Sequence, residues 1–289
     1  MKLITDRNSH IFFLLPVFGI MVSVAIYPMI YELYLSFQSY NSLRPWYPRG
    51  FVGLGNYIDA LSKIRVWKSL GMTLYFVAAA VGIELVFGLG IALLFNRELR
   101  GKSIFRTLIM IPLTLTPVVV ALIWKYLFHD TFGLITYVFK YFGWSTEFYG
   151  DPSLALPTMI FIDIWQWTPF VFLILLAGIL SLPKEPFESA KIDGASVLQI
   201  FWHMTLPLLK PIIMIAVLLR LVDAIKIFDT IWVLTKGGPG GATEVYNILI
   251  YLEGFRYYNM GYGAALGIIL LIISLTIAFG FIKLVKLEI

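Results

Sequence analysis

ESAKIDGASVLQIFWHMTLP, residues 188–207, is a charged, glycine-punctuated segment set between two long oily runs. Pro183 and Pro186 precede it, where proline is tolerated in a first helical turn. Gly194 stands where a helix commonly ends in a left-handed turn. The spacing predicts two short helices joined at Asp193-Gly194, lying along a membrane face instead of through it. Phe187, Ala190, Lys191 and Gly194 fall at i, i+3, i+4 and i+7 and so share one face. That face is small in its middle, which lets another backbone come close. The pattern alone fits equally an amphipathic helix resting on lipid headgroups.

The flanking runs set the class of the protein. Of 289 residues, 60% are hydrophobic and 13% charged, against roughly 25% charged in a soluble domain, so this surface cannot face water everywhere. A helix needs about 20 apolar residues to cross a hydrocarbon core. Residues 12–30, 107–124 and 257–282 carry no charge, 70–95 only Glu84, and 154–183 only Asp163. A weaker sixth run, 208–234, is rich in Ile, Leu and Val but contains Arg220, Asp223, Lys226 and Asp229. The fold class expected is therefore an all-α membrane protein with six transmembrane helices.

Six spans put both termini on one side. With the N-terminus inside, the stretches 1–10, 96–106, 181–211 and 283–289 are cytoplasmic. They hold 11 Lys/Arg in 59 positions, against 9 in the 89 positions of 38–69, 125–154 and 235–261. The bias is in the positive-inside direction. The N-terminal MKLITDRNSHIFFLLP has no small-residue cleavage site after its apolar core and is read as a retained first helix. The chain divides into 1–69, a first span with an outer loop, and 70–289, a five-helix core that includes the cytoplasmic loop 181–211.

Several function classes drop out. There are no cysteines, so disulfides and thiolate sites are absent, and His10, His129 and His203 form no ligand pair at helical spacing. No metal site is expected. The net charge of +5 comes without a basic-aromatic stripe, so it points to cytoplasmic loops and not to nucleic acid. Gly101-Lys102-Ser103 resembles the end of a phosphate-binding loop, but that pattern needs glycine at position 96, which is Asn96.

Two segments carry candidate chemistry. Arg220, Asp223, Lys226 and Asp229 recur every three residues with alternating sign, so each can reach the next. Ionisable groups at membrane depth are expensive and mark function or tight packing. We expect Arg220 and Asp223 to line a cavity, and Lys226 and Asp229 to fix packing. In the fourth span, Asp163, Trp165, Gln166, Trp167 and Phe170 gather polar and aromatic groups around Pro169. Aromatic faces stack on sugar C–H surfaces, and placed polar groups bond the hydroxyls. Glu84 is expected to be satisfied by a neighbouring helix. Pro112, Pro117, Pro169, Gly82, Gly88 and Gly90 predict broken or kinked spans, and Gly263-x-x-x-Gly267 predicts a helix-packing seam.

The opening stretch also resembles a known motif. Glu188-Ser189-Ala190, Asp193-Gly194-Ala195, Phe201 and Leu206-Pro207 are similar to the EAA pattern of permease subunits in binding-protein-dependent ABC importers. Ser189 and Met204 replace the usual Ala and Ile. Phe51-Val52-Gly53-Leu54-Gly55-Asn56-Tyr57, Arg100-Gly101-Lys102-Ser103 with Phe105-Arg106 and Ile111-Pro112, and Thr235-Lys236-Gly237-Gly238-Pro239 resemble the carbohydrate, maltose-type branch.

The resemblance implies a type I ABC importer permease fold whose helix-turn-helix docks on an ATP-binding subunit. Phe187 and Ala190 would lie in the packed face, Glu188 would be a polar contact and Gly194 the turn, with Ser189, Asp193 and Ala195 completing the motif. It also implies that the 163–170 region and the 220–224 region, Ala224 included, line the translocation path. The implied partners are a second homologous permease, two ATP-binding cassette subunits, an extracytoplasmic solute-binding protein and the lipid bilayer. The chain itself would hold no cofactor, ATP and Mg being bound by partner subunits. The expected function is sugar import across the cytoplasmic (inner) membrane of a prokaryote by alternating access, without enzymatic activity in this chain. Two alternatives stay open: import of glycerol phosphate or another anionic polyol through Arg220, and an intramembrane enzyme using Asp163 with Asp223.

Overall fold

The computed structural model describes residues 9–44, 50–97, 100–144 and 147–285. The terminal ends of the stretches predicted to be cytoplasmic, 1–8 and 286–289, lie outside them. The described residues are helical, with one isolated bridge between Gln38 and Phe51 and no strand. The chain divides into two compact units, Met1–Trp67 with Leu249–Ile273 and Lys68–Ile248 with Ser274–Ile289.

The first unit begins with helices α1 (Ser9–Met21) and α2 (Tyr27–Ser36), joined without a break through a π turn at Val22–Ile26. Leu14–Ser36 is long and apolar enough to cross a membrane. Its end is clamped by α3 (Gly55–Ser62): Asn56 Nδ2 donates to the carbonyls of Ser36 (2.8 Å) and Gln38 (3.0 Å), and Tyr57 Oη lies 2.6 Å from Ser36 Oγ. The Asn-Tyr pair of the outer-loop motif thus ties off the first span. Later in the chain come α13 (Tyr246–Tyr251), a π turn at Leu252–Arg256, and α14 (Met260–Val285). Asn41 Nδ2 bonds Asn259 Oδ1 at 2.8 Å, and Arg65 pairs with Glu253 at 3.1 Å. The expected glycine seam sits on α14: a side chain at Gly263 would meet the Gly254 backbone, and one at Gly267 the Glu32 carboxylate.

The second unit holds most of α4 (Ile64–Phe95), then α5 (Lys102–Thr114), α6 (Pro117–Leu127), α7 (Leu134–Tyr141) and α8 (Pro152–Leu180). Asp151 caps α8 by accepting from Ser153 Oγ (2.6 Å) and Ser153 N (2.7 Å), bonds that hold its carboxyl below the usual carboxylate range. The core is built where α4, α8 and α11 (Leu206–Ala224) meet, from Ala92, Phe95, Phe172, Leu175, Leu209 and their neighbours. Phe95 and Phe172 rings meet edge to face at 5.2 Å. Gly88 makes this approach close: a Cβ there would lie 2.8 Å from Val171 Cγ1 and 3.1 Å from the Phe172 nitrogen. The prediction of a break at the α4 glycines is corrected: α4 runs unbroken for 32 residues, and Gly88 serves packing.

Two predicted spans differ from expectation. The run 107–124 is not one helix, because α5 and α6 meet at 99°. Proline disfavours a helical residue before it, so Thr116 is extended (φ −69°, ψ 147°) and Pro117 starts α6 afresh. The run 208–234 is helix only to Ala224, then turns at 225–228 before α12 (Asp229–Leu234). Lys210, Arg220 and Asp223 leave α11 too charged to count as a span by composition. Among the described residues four helices are long and apolar enough to cross a membrane, or five if the bent α5–α6 pair is one crossing.

Candidate coupling loop and charged cluster

The opening stretch folds from its own local signals. Helix α9 (Glu185–Ile192) has Pro186 in its first turn, Glu185 and Glu188 at its N-terminal end and Lys191 in its last turn, each favourable to the helix dipole. It closes at Gly194, whose φ of +79° suits glycine. Gly194 N donates to Lys191 O (3.1 Å) and Ala195 N to Ala190 O (2.9 Å), the paired bonds of a Schellman turn. Ser196 then caps α10 (Val197–Ile200) reciprocally: Ser196 N donates to Gln199 Oε1 at 2.8 Å, and Gln199 N to Ser196 Oγ at 3.3 Å.

The expected second short helix does not stand alone. Helix α10 passes through a π turn at Phe201–Thr205 directly into α11, so the turn at Gly194 is joined without a break to a helix of the core. The Ser196-x-x-Gln199 capping box was legible in the sequence and marks this start. Gly194 itself lies past the end of α9, so the shared face predicted for Phe187, Ala190, Lys191 and Gly194 ends at Lys191. Around the turn, Ile192 is 87% exposed and Val197 75%. Ser189 and Asp193 are exposed as well, while Phe187, Ala190 and Ala195 are half-buried.

The second constellation lies inside the helical core. Arg220 on α11 is 1% exposed. Its Nε donates to Glu84 Oε2 (2.6 Å) and its Nη2 to Glu84 Oε1 (2.9 Å), a bidentate pair with α4. Nη2 also donates to Asp163 Oδ2 on α8 (2.7 Å), and Nη1 to Asp223 Oδ2 one turn along α11 (2.7 Å). Four of the five guanidinium N–H bonds are thus committed. The ring of Trp167 lies 4.8 Å from the guanidinium carbon, adding a cation–π contact. Glu84 and Asp163 are buried, whereas the Asp223 side chain is 51% exposed.

The expectation that Arg220 lines a cavity is corrected: its donors are turned onto three carboxylates drawn from three helices. Asp223 is the member that reaches the surface. Glu84 has its partner on a neighbouring helix, as expected, and the partner is Arg220. Lys226 and Asp229 do not fix packing. Both are exposed, make no ion pair among the described residues, and lie beyond the end of α11. The acids that an enzymatic reading requires, Asp163 and Asp223, do meet, but on one guanidinium that bonds both.

The remaining candidates of the fourth span do different work. Gln166 is buried and its Nε2 donates to the carbonyl of Leu115 at 3.2 Å, inside the α5–α6 break. Irregular backbone at membrane depth needs such a partner. Gln166→Leu should leave that carbonyl unsatisfied and cost about 1–3 kcal/mol. The measurement is thermal unfolding of the purified chain in detergent, with Gln166→Glu as a variant of equal size; an unchanged midpoint in Gln166→Leu would refute the clamp. Trp165 packs edge-on against Trp124 at 5.4 Å and borders an apolar groove of about 870 Å³ between α4, α5 and α8. Phe170 meets Trp167 edge-on at 6.1 Å, and Ala224 is buried. The Gly101-Lys102-Ser103 turn opens α5 with no strand before it among the described residues. Those residues hold no group of three or more His, Cys, Asp or Glu able to bind a metal.

Both constellations lie within one family. Residues 84–286 match the binding-protein-dependent transport system inner membrane component, and the chain belongs to that family. It is 36% identical to the trehalose/maltose transport system permease protein MalF of Thermococcus litoralis, over 92% of this chain and 90% of that one. It is also 36% identical to the trehalose transport system permease protein SugA of Mycobacterium tuberculosis, over 96% and 89%. The fold matches a chain in the crystal structure of a bacterial ABC transporter involved in the import of the acidic polysaccharide alginate. That match has a TM-score of 0.84 at 22% identity and covers 97% of this chain and 96% of the other. The protein is a multi-pass membrane component of a binding-protein-dependent transporter.

Proposed function

We propose that this chain is one permease subunit of an ATP-driven importer and passes an uncharged sugar by alternating access. The observation that carries the coupling half is the capped turn at Gly194, solvent-exposed, flanked by bare Ile192 and Val197, and continuous with core helix α11. Exposed apolar residues beside directed polar groups are what a docking surface requires. On this reading Phe187, Glu188, Ser189, Ala190, Asp193, Gly194 and Ala195 meet an ATP-binding subunit, which holds the ATP and Mg. Two such subunits, a second permease and an external binding protein complete the assembly, and both termini face the cytoplasm. The translocation core is 70–289, which the family match over 84–286 supports, with 1–69 as an added span and loop.

The cargo half rests on the relatives named for trehalose and maltose and on the charge of the cluster. An anionic cargo held by Arg220 would need that guanidinium free, and it is already met by three carboxylates. Asp223, half-exposed, is the polar group of the cluster placed to accept from sugar hydroxyls, with Trp167 and Phe170 as neighbouring aromatic faces. The test is uptake into proteoliposomes holding the complete transporter, comparing labelled trehalose and maltose with a sugar phosphate. Uptake of the neutral sugars is expected. Uptake of the phosphate alone would overturn the cargo reading, and ATP-independent uptake would overturn the coupling reading.

A further inference from the structure

We propose that a groove of about 810 Å³ beside the coupling loop binds an anionic phospholipid. One wall is the last turn of α4 and of α8, through Leu93, Ile179 and Leu180. Both helices are long and apolar enough to cross the membrane and end at Phe95 and Leu180. That wall therefore lies where hydrocarbon gives way to headgroups. Arg97, Lys184 and Lys191 line the same groove, all exposed and none in an ion pair among the described residues. Glu188 is the one carboxylate in the lining, so three cations against one acid leave a net of two positive charges.

The groove joins two chemistries that neither a free anion nor a neutral lipid matches. An acyl chain covers the apolar wall while the phosphate sits among the cations. Basic groups close to the membrane surface each add measurably to anionic-lipid binding. The lipid would lie against Lys191 and Phe201, on α9 and the π turn beyond α10, so it would support the Gly194 turn from the membrane side. This site goes beyond the coupling role and does not need the ATP-binding subunit to be present.

The test uses the full chain in phosphatidylcholine nanodiscs containing a photoreactive phosphatidylglycerol, with labelled peptides mapped by mass spectrometry. Labels should fall within 93–97 and 179–205. Unlabelled phosphatidylglycerol should compete about thirtyfold better than phosphatidylcholine, on the scale set by two net charges, and inorganic phosphate should not compete. The combined variant R97Q/K184Q/K191Q should lose the preference and R97K/K184R/K191R should keep it. Lys283→Gln, an exposed cation outside the groove, should leave it unchanged. If the combined glutamine variant does not fold, the single variants are read instead, each expected to lose part of the preference. Equal competition by both lipids, displacement by inorganic phosphate, a preference that survives the glutamine substitutions, or one that the conservative variant abolishes would each overturn the proposal. Labelling requires no transport, so it stands or falls separately from the cargo and coupling readings.

Discussion

Arg220→Met is expected to destabilise the protein by about 3–5 kcal/mol, the range for removing one partner of a buried ion pair. The substitution nearly conserves side-chain volume, so the loss is not chiefly one of packing. It strands Glu84 and Asp163, both buried and both bonded to the same guanidinium. Adding Glu84→Gln and Asp163→Asn to the methionine variant should recover part of the loss, because amides carry no charge to desolvate. Asp223→Asn alone should cost no more than about 1 kcal/mol, since that side chain is half-exposed and water takes over its solvation. Thermal unfolding in detergent, followed by size-exclusion fluorescence, measures all of these. An Arg220→Met protein as stable as the parent would show that the cluster does not hold α4, α8 and α11 together.

Gly194→Val should reduce ATP-driven uptake more than tenfold while leaving the fold intact. A left-handed backbone costs an ordinary residue roughly 1–2 kcal/mol, and more for a β-branched one. No atom lies within 4 Å of where a Cβ would stand at Gly194, so the penalty is conformational and not a clash. The chain relieves it by abandoning the Schellman turn, which swings α10 and the start of α11 relative to α9. Asparagine tolerates this backbone, so Gly194→Asn should retain most uptake, while Gly194→Ala should fall between. Glu188→Lys, which reverses a charge in the first turn of α9, should also impair uptake without affecting binding by the external protein. Full uptake by Gly194→Val, or an asparagine variant as impaired as valine, would refute the requirement for this turn.

The parts of this structure that were readable from sequence are those whose causes are local. Proline before the helix, acids in its first turn and Gly194 after its end delimit α9, and Ser196 with Gln199 delimits α10. Span positions follow from run length and composition. The break at 115–116 was signalled by Pro117, but its 99° bend was not, because a proline stops one helix without choosing the direction of the next. The end of α11 at Ala224 was missed because hydropathy averages over a turn as readily as over a helix.

The sequence by itself determined that this is a polytopic helical membrane protein with a glycine-hinged helix-turn-helix at residues 185–205. About twenty apolar residues can satisfy their backbone only as a helix in lipid, and caps act within a few residues of the ends they close. Only the tertiary structure decided what the lone polar groups in those helices do. Glu84 lies 136 positions from Arg220 and Asp163 lies 57, and Gln166 reaches a carbonyl 51 positions away. Whether such groups meet depends on the depth and rotation of each helix. Those are set by close packing such as Gly88 against Val171, which no local pattern encodes.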